Sequence, residues 1–287
     1  MEKPVLSVII PAFNEEHSIE KTVSEVHAAL SAHPHEILVV DDGSTDNTAS
    51  IAETLNCRIV RHERNRGYGA SLKSGIRHAN AQIIAITDAD QTYPNDRLPE
   101  LLEYMRDFDM VVGARTGKKV YVSLLRRPAK WFLKLLADYL TGVSIPDLNS
   151  GLRLFKKELA ERFWGILPSG FSFTTTITLA ALSSDFPVKF VPVDYFKREG
   201  HSKIRPIGDT LNFISLIVRT ILYFNPLKVF FPLFLLVTLI GMGVFGYTTF
   251  VMDRVMDISV TVILFAAIQL LAIGLIADVV VKRGGLK

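Results

Sequence analysis

The sequence predicts an α/β fold: a mostly parallel sheet domain followed by interfacial amphipathic helices and a two-helix transmembrane hairpin. Three observations lead there. Short Val- and Ile-rich runs alternate with helical patterns over the N-terminal part, the rhythm of a parallel sheet covered by helices. Acidic and polar clusters follow those runs, and open α/β sheets bind ligands beyond the carboxyl ends of their strands. Two long uncharged stretches lie towards the C-terminus.

Met1 to Pro4 leads directly into a strand pattern, so no signal peptide is expected. Val5 to Ile10, Ile37 to Val40, Ile83 to Thr87 and Met110 to Gly113 are short apolar runs that read as strands buried on both faces. Helical patterns fall between them, around Ile19 to Leu30, Asn47 to Leu55, Ala70 to Ala79 and Leu98 to Met105. PAFNEE (Pro11 to Glu16), DDGSTDNT (Asp41 to Thr48) and DAD (Asp88 to Asp90) each follow a strand, which brings three polar loops to one sheet edge. Asp46, Asn47 and Thr48 also suit a plain helix start, and Asp42-Gly43 a plain turn. Asp88 and Asp90 point to the same side of an extended segment, where their carboxylates can share a hard divalent cation with a phosphorylated ligand. NRGYGASLKSG (Asn65 to Gly75) matches neither phosphate-loop pattern, because Leu72 stands where the last glycine of G-x-G-x-x-G belongs. Gly67 and Gly69 there read as residues that let the backbone approach a nucleotide, with Arg66 or Lys73 nearby, or as an ordinary loop and helix start.

Beyond the sheet, Ile207, Leu211, Ile214, Val218 and Ile221 recur at helical spacing, widened by Phe213, Leu216, Ile217 and Phe224. Pro206 to Phe224 therefore reads as a helix lying on a membrane. Val229 to Met252 gives 24 uncharged residues and Ile258 to Ala277 another 20, each long enough to span a hydrocarbon core of about 30 Å. Asp253 to Asp257 joins them as a short link. Arg219 and Lys228 on one flank, with Lys282, Arg283 and Lys287 on the other, place both ends in the cytoplasm by the positive-inside bias. The expected domains are 1–205, catalytic; 206–225, interfacial; and 226–287, the hairpin.

Composition agrees with this division. The 287 residues are 49% hydrophobic and 21% charged, with a mean hydropathy of +0.28, too apolar for a disordered or nucleic-acid-coating chain. A net charge of +3 gives no global basic field. Cys57 is the single cysteine, which excludes an internal disulfide and a cysteine-based zinc site. Charge is concentrated locally: Met110 to Ala137 holds Arg115, Lys118, Lys119, Arg126, Arg127, Lys130 and Lys134 and no acid, interleaved with Tyr121, Trp131 and Phe132. Such interleaving also suits single-stranded nucleic acid, but beside two membrane spans it reads as an interfacial helix facing anionic headgroups.

PAFNEE, DDGSTDNT, NRGYGASLKSGI and DAD, in this order, closely resemble the nucleotide-sugar-binding half of family 2 glycosyltransferases. GAR (Gly113 to Arg115), PDLNSGLRLFKKE (Pro146 to Glu158), KREGHSK (Lys197 to Lys203) and the two C-terminal spans resemble its dolichol-phosphate mannose synthase and polyprenyl-phosphate glycosyltransferase branch. The resemblance implies a GT-A type, Rossmann-like sheet. It places Pro11, Phe13, Glu15 and Asp42 in the nucleoside pocket, with Asp88 also on the nucleotide sugar, and uridine and guanosine stay open. It gives Asp88 and Asp90 to Mg2+ or Mn2+, with Asp90 catalytic. Gln91 is a third metal candidate, although the family's glutamine often stands two positions after the second aspartate, where Thr92 is here. Arg115 and Arg127 are the implied catalytic arginines at the acceptor phosphate, with Lys197, Arg198 and Lys203 as further phosphate-binding candidates. His201 reads as a surface histidine.

The implied reaction is inverting transfer of a hexose from GDP-mannose or a UDP-hexose to polyprenyl or dolichyl phosphate. The implied setting is the cytoplasmic face of the cell membrane, or of the endoplasmic reticulum in a eukaryote. The expected partners are the nucleoside diphosphate sugar, the lipid phosphate and the bilayer, with no nucleic acid; the oligomeric state stays open, a homo-oligomer included. A processive polysaccharide synthase would need more spans and lacks its Q-x-x-R-W here, and a non-catalytic adaptor sits poorly with an intact aspartate pair.

Overall fold

A computed structural model describes residues 4–118, 134–139, 141–170, 172–196, 215, 217–252 and 257–284. The chain divides into two compact units, Met1–Leu216 and Ile217–Lys287.

The first unit is built on a seven-stranded sheet: β1 (Leu6–Ala12), β2 (His35–Asp41), β3 (Arg58–Arg61), β4 (Ile83–Ile86), β5 (Met110–Ala114), β6 (Arg153–Lys156) and β7 (Val188–Pro192). The spatial order is β3-β2-β1-β4-β6-β5-β7. Every pairing is parallel except those of β6, which runs antiparallel between β4 and β5. The mostly parallel sheet is thus as the sequence predicts, and the four apolar runs are β1, β2, β4 and β5. The structure adds β3, β6 and β7.

Side-chain alternation along the strands divides the core in two. Leu6, Val8, Ile10 and Ala12 of β1 face one way, packed with Ile19, Val23 and Val26 of α1 (Ile19–Ala29), Ala52 of α2 (Thr48–Thr54) and Leu98 and Leu101 of α4 (Leu98–Tyr104). Ile9 points to the other face, where Gly75 of α3 (Tyr68–His78) lies so close that a Cβ there would come within 2.5 Å of Ile9 Cγ2. Arg153, between the core residues Leu152 and Leu154, also points to that second face and donates to the Thr174 carbonyl and Thr178 hydroxyl of α6 (Phe173–Ser183) at 2.8 and 2.9 Å. Burial of each such aliphatic side chain contributes about 1.5–3 kcal/mol. A short helix, α5 (Lys157–Arg162), follows β6.

Two features position the site. The strand order reverses between β1 and β4, leaving a crevice at their carboxyl ends, the usual ligand position in such sheets. Arg153 of β6 pairs with both Ile86 and Val112. The residues just before Arg153 therefore continue past the carboxyl ends of β4 and β5, onto the same edge.

The second unit contains helical residues 217–224, followed by α7 (Leu227–Phe250) and α8 (Asp257–Gly284). Both long helices are apolar enough to cross a membrane, with mean hydropathies of 2.3 and 2.6 and little of either buried. Small residues let them pack closely, as helices do in lipid. A Cβ on Gly241 would lie 3.1 Å from Ile263 and Leu264, and one on Gly274 would lie 2.6 Å from Phe230, which sets the pair antiparallel. Elsewhere Phe, Leu and Ile side chains stand exposed along both helices. Of the expected interfacial helix, residue 215 and residues 217–224 are described, with Ile217, Thr220 and Ile221 buried; the rest of Pro206 to Phe224 lies outside the described residues.

Candidate active site

The β1 and β2 exit loops are knitted together. Asn14, at a φ of 57°, donates its amide to Ser44 Oγ at 3.0 Å and accepts from the Thr45 amide at 2.8 Å. Glu15 donates its amide to Thr48 Oγ1 at 2.8 Å. Asp46 accepts from the Thr48 amide at 3.0 Å, so it organises the start of α2. Pro11 ends up half-buried within β1, with Phe13 half-buried one residue beyond its end. Glu15 takes a hydrogen bond from Ser18 Oγ on its carboxylate at 3.2 Å.

Asp42 is almost fully buried, and its carboxylate holds the β3–α3 loop. Oδ1 accepts from His62 Nδ1 at 2.6 Å and from the Arg66 amide at 2.9 Å, and Oδ2 accepts from the Gly67 amide at 2.8 Å. His62, itself buried, reaches Ser74 Oγ through Nε2 at 2.8 Å. Gly43, at a φ of 73°, packs against the Arg64 and Asn65 backbone, where a Cβ would come within 2.7 Å. Of the two readings of Gly67 and Gly69, the one in which they shape the chain has direct contacts behind it: the Gly69 and Ala70 amides donate to the Gly170 and Ser169 carbonyls at 3.1 and 2.8 Å. A Cβ on Gly69 would lie 2.6 Å from the Gly170 oxygen. Two of the amides in the first turn of α3 are thus satisfied by residues 169–170.

Asp88 and Asp90 flank the buried Ala89, whose carbonyl accepts from Thr22 Oγ1 at 3.0 Å. Asp90 accepts from Thr92 Oγ1 and the Thr92 amide at 2.6 and 3.2 Å. Asp88 accepts from the Tyr68 hydroxyl at 3.0 Å. Gly151 lies against its other side: a Cβ there would be 2.5 Å from Asp88 Oδ2. The Gly151 amide donates to Tyr93 Oη at 2.7 Å, and Tyr93 meets Tyr195 edge-on. Burial, then the Asp88 charge, raises the Tyr68 pKa well above its ordinary value, so the phenol stays a donor. Burial likewise raises that of Tyr93. Gln91 turns to α1, where its amide oxygen accepts from Lys21 Nζ at 3.0 Å and its amide nitrogen donates to the Ser18 carbonyl at 3.4 Å. The structure does not bring it to the aspartate pair.

Among the described residues no group of three or more His, Cys, Asp or Glu is arranged to hold a metal. Two half-buried carboxylates fit a different donor set: Mg2+ or Mn2+ held by one or two carboxylates, with substrate phosphates and waters completing the shell.

Arg115, just beyond β5, is clamped by Asp147. Nε and Nη2 donate to the two carboxylate oxygens at 2.7 and 2.8 Å, and the Arg115 amide adds a third bond at 3.0 Å. The guanidinium stacks 5.1 Å above the Tyr195 ring. Burial works against the Arg115 charge, but Tyr93, Asp147 and Tyr195 outweigh it and raise its pKa. Burial also opposes the Asp147 charge, and the Arg115 hydrogen bonds overcome it, lowering that carboxyl below its usual range. Among the described residues Nη1 of Arg115 carries no hydrogen bond. Arg153 is fully buried below this edge; burial pulls its pKa down to about 10, which leaves it cationic near neutrality.

The structure thus brings Phe13, Asp42, Asp88, Asp90 and Arg115 to one edge of the sheet. Lys118 is exposed, and Lys134 forms an ion pair with Asp138 at 2.5 Å. Arg127, Lys197, Arg198 and Lys203 lie outside the described residues, as do Lys119, Arg126, Lys130, Trp131 and His201. Sequence reasoning assigned nothing to His62, Tyr68, Tyr93, Asp147, Gly151 or Arg153. Tyr68 does lie in NRGYGASLKSGI, and Asp147, Gly151 and Arg153 in PDLNSGLRLFKKE, but those motifs gave no individual role to any of them.

Residues 7–164 match the family described as Glycosyl transferase family 2, and residues 225–282 match the GtrB C-terminal hairpin. The chain is 35% identical over 168 residues to a dodecaprenyl-phosphate galacturonate synthase of Rhizobium johnstonii, covering 55% of this chain and 49% of that protein. It therefore spans about half the length of that relative. A dolichyl-phosphate hexose transferase of Haloferax volcanii is 27% identical, with 71% of this chain and 88% of that protein covered. An undecaprenyl-phosphate mannosyltransferase of Micrococcus luteus is also 27% identical, with 68% and 86% covered. Among solved structures, glucosyl-3-phosphoglycerate synthase from Mycobacterium tuberculosis, in complex with Mn2+, UDP-glucose and phosphoglyceric acid, has a TM-score of 0.60 at 21% identity. It covers 76% of this chain and 80% of that one, a likeness of fold. With the GT-A-like sheet, its three polar loops and the apolar hairpin all in place, the family match over residues 7–164 shows that the chain belongs to glycosyl transferase family 2.

Proposed function

We propose that this protein transfers a hexose, with inversion, from GDP-mannose or a UDP-hexose to polyprenyl or dolichyl phosphate at the cytoplasmic face of a membrane. One observation carries the reading. The Asp88–Asp90 pair sits at the β1/β4 crevice of a chain that also has the apolar helical hairpin. The relatives named for dodecaprenyl-, undecaprenyl- and dolichyl-phosphate support the acceptor class, and the mycobacterial neighbour crystallised with Mn2+ and UDP-glucose supports the donor class.

A phosphomonoester has a second pKa of about 6, so the acceptor is already mostly ionised near neutrality and needs little general-base help. The chain's task is then positioning and charge. Asp88 and Asp90 would hold Mg2+ or Mn2+, which when bound supplies positive charge to the nucleoside diphosphate leaving group. Pro11, Phe13, Glu15 and Asp42 line the nucleoside side. Asp42 does so with three hydrogen bonds already accepted, so its role is to fix the pocket wall as well as to accept from the ligand. Arg115 would offer Nη1 to the acceptor phosphate while Asp147 fixes its plane. Arg127, Lys197, Arg198 and Lys203 are proposed as its further partners. The proposed division is catalysis by 1–205, surface attachment by 206–225 and anchoring by 226–287, in the cell membrane or endoplasmic reticulum, with both termini cytoplasmic.

Asp90→Asn tests the reading. It should abolish metal-dependent sugar transfer to polyprenyl phosphate; near wild-type turnover at saturating Mg2+ or Mn2+ would exclude the metal role.

A further inference from the structure

We propose that Tyr68 is a positioning residue for Asp88, delivered by a loop that Asp42 and His62 anchor. The proposal rests on the reading of Asp88 and Asp90 as donors to a divalent cation, and deepens it.

The terminal torsion of an aspartate is broad and roughly two-fold, so a carboxylate left to itself presents its oxygens in many orientations. Asp88 is constrained on both sides. The Tyr68 hydroxyl donates to Oδ1 at 3.0 Å, and the Gly151 backbone lies against Oδ2, so close that a Cβ there would come within 2.5 Å. The carboxylate plane is therefore set before any cation arrives.

Tyr68 is itself placed by its neighbours in sequence. It opens α3, directly after Arg66 and Gly67, whose amides both donate to Asp42 at 2.9 and 2.8 Å. Asp42 is held in turn by His62 at 2.6 Å, and His62 by Ser74 on α3 at 2.8 Å. The adjoining Gly69 and Ala70 amides are tied to residues 169–170. Three consecutive residues, 66–68, thus join the proposed nucleoside carboxylate to the proposed metal carboxylate. Partners that orient metal ligands are typically worth about 10–100-fold in metal affinity.

The test uses the purified full chain and Mn2+ titrations followed by electron paramagnetic resonance, with Mn2+ alone and with UDP or GDP. Tyr68→Phe keeps the ring and removes only the hydroxyl. It should raise the Mn2+ Kd by about 10-fold or more in the nucleotide complex, while nucleotide binding without metal stays at the wild-type level. In an Asp88→Asn background the same change should have no further effect on Mn2+, since the two residues act as one unit. Unchanged Mn2+ affinity in Tyr68→Phe, or an equal loss whether or not Asp88 is present, overturns the positioning role alone. A wild-type chain that binds UDP and GDP without any response to Mn2+ overturns the metal reading beneath it.

Discussion

Gly151→Ala adds a single methyl group, and its effect can be worked out from the contacts around it. The new Cβ would lie 2.5 Å from Asp88 Oδ2 and 2.9 Å from Asp88 Cγ and Oδ1. Real Cβ contacts essentially never fall under 3.0 Å and are ordinary only from 3.4 Å. Either the carboxylate or the segment before β6 must therefore move by about 0.5–0.9 Å. The Gly151 amide is bonded to Tyr93 at 2.7 Å and Ser150 Oγ to the Gly113 carbonyl at 2.5 Å, so the backbone is held and the Asp88 carboxylate is the part that moves. Catalytic groups must stay within about 0.5 Å of their working positions, and a misplacement of about 1 Å costs about 100-fold. Turnover of metal-dependent sugar transfer should drop by about 10–100-fold. Overpacking of this size costs about 1–3 kcal/mol, a fall of several degrees in Tm that leaves the protein folded at 25 °C. Kinetics on polyprenyl phosphate, beside a thermal melt, separate the two effects. Wild-type kcat in Gly151→Ala would refute the placement of Asp88 at the reacting centre.

Asp147→Ala strands the Arg115 guanidinium, whose side chain is 18% exposed. Breaking one side of such a largely buried pair costs about 3–5 kcal/mol, and Arg115→Met on top of Asp147→Ala should recover part of that loss in urea unfolding; strictly additive losses would mean the pair is not coupled. The link between α7 and α8 should react with impermeant thiol reagents, after placement of a cysteine among residues 253–257, only from the side opposite the catalytic domain. Labelling from the catalytic side would overturn the hairpin topology.

What was legible in the sequence follows from what each segment has to satisfy. β1, β2, β4 and β5 are buried on both faces along most of their length, so their central residues are apolar and visible as runs. β3 is an edge strand, RIVR, with exposed arginines at both ends and only half-buried residues between them, which removes the apolar signal. β6 opens on Arg153, and a buried charge at the head of a strand becomes intelligible only when the Ser150, Thr174 and Thr178 oxygens that receive it are seen together. The loops of the site were readable because polar residues at strand ends need a reason. Their internal wiring was not. The Asp147 that claims Arg115 is 32 residues away, and the glycines of NRGYG look the same in sequence whether they make room for a phosphate or for the carbonyls of residues 169–170. Gln91 shows the same limit: its type suited a metal, but Lys21 of α1, 70 residues earlier, takes its oxygen.

The central claim is that a lipid phosphate accepts the sugar. It is tested most directly by incubating the purified full chain with polyprenyl phosphate, Mg2+ or Mn2+ and a panel of UDP- and GDP-sugars, reading the lipid fraction by mass spectrometry. The account predicts a lipid product heavier by one hexose-type residue with at least one donor, and none when the metal is chelated. Sugar chains longer than one residue, or no lipid product with any donor while the chain still binds nucleotide sugar, would contradict it.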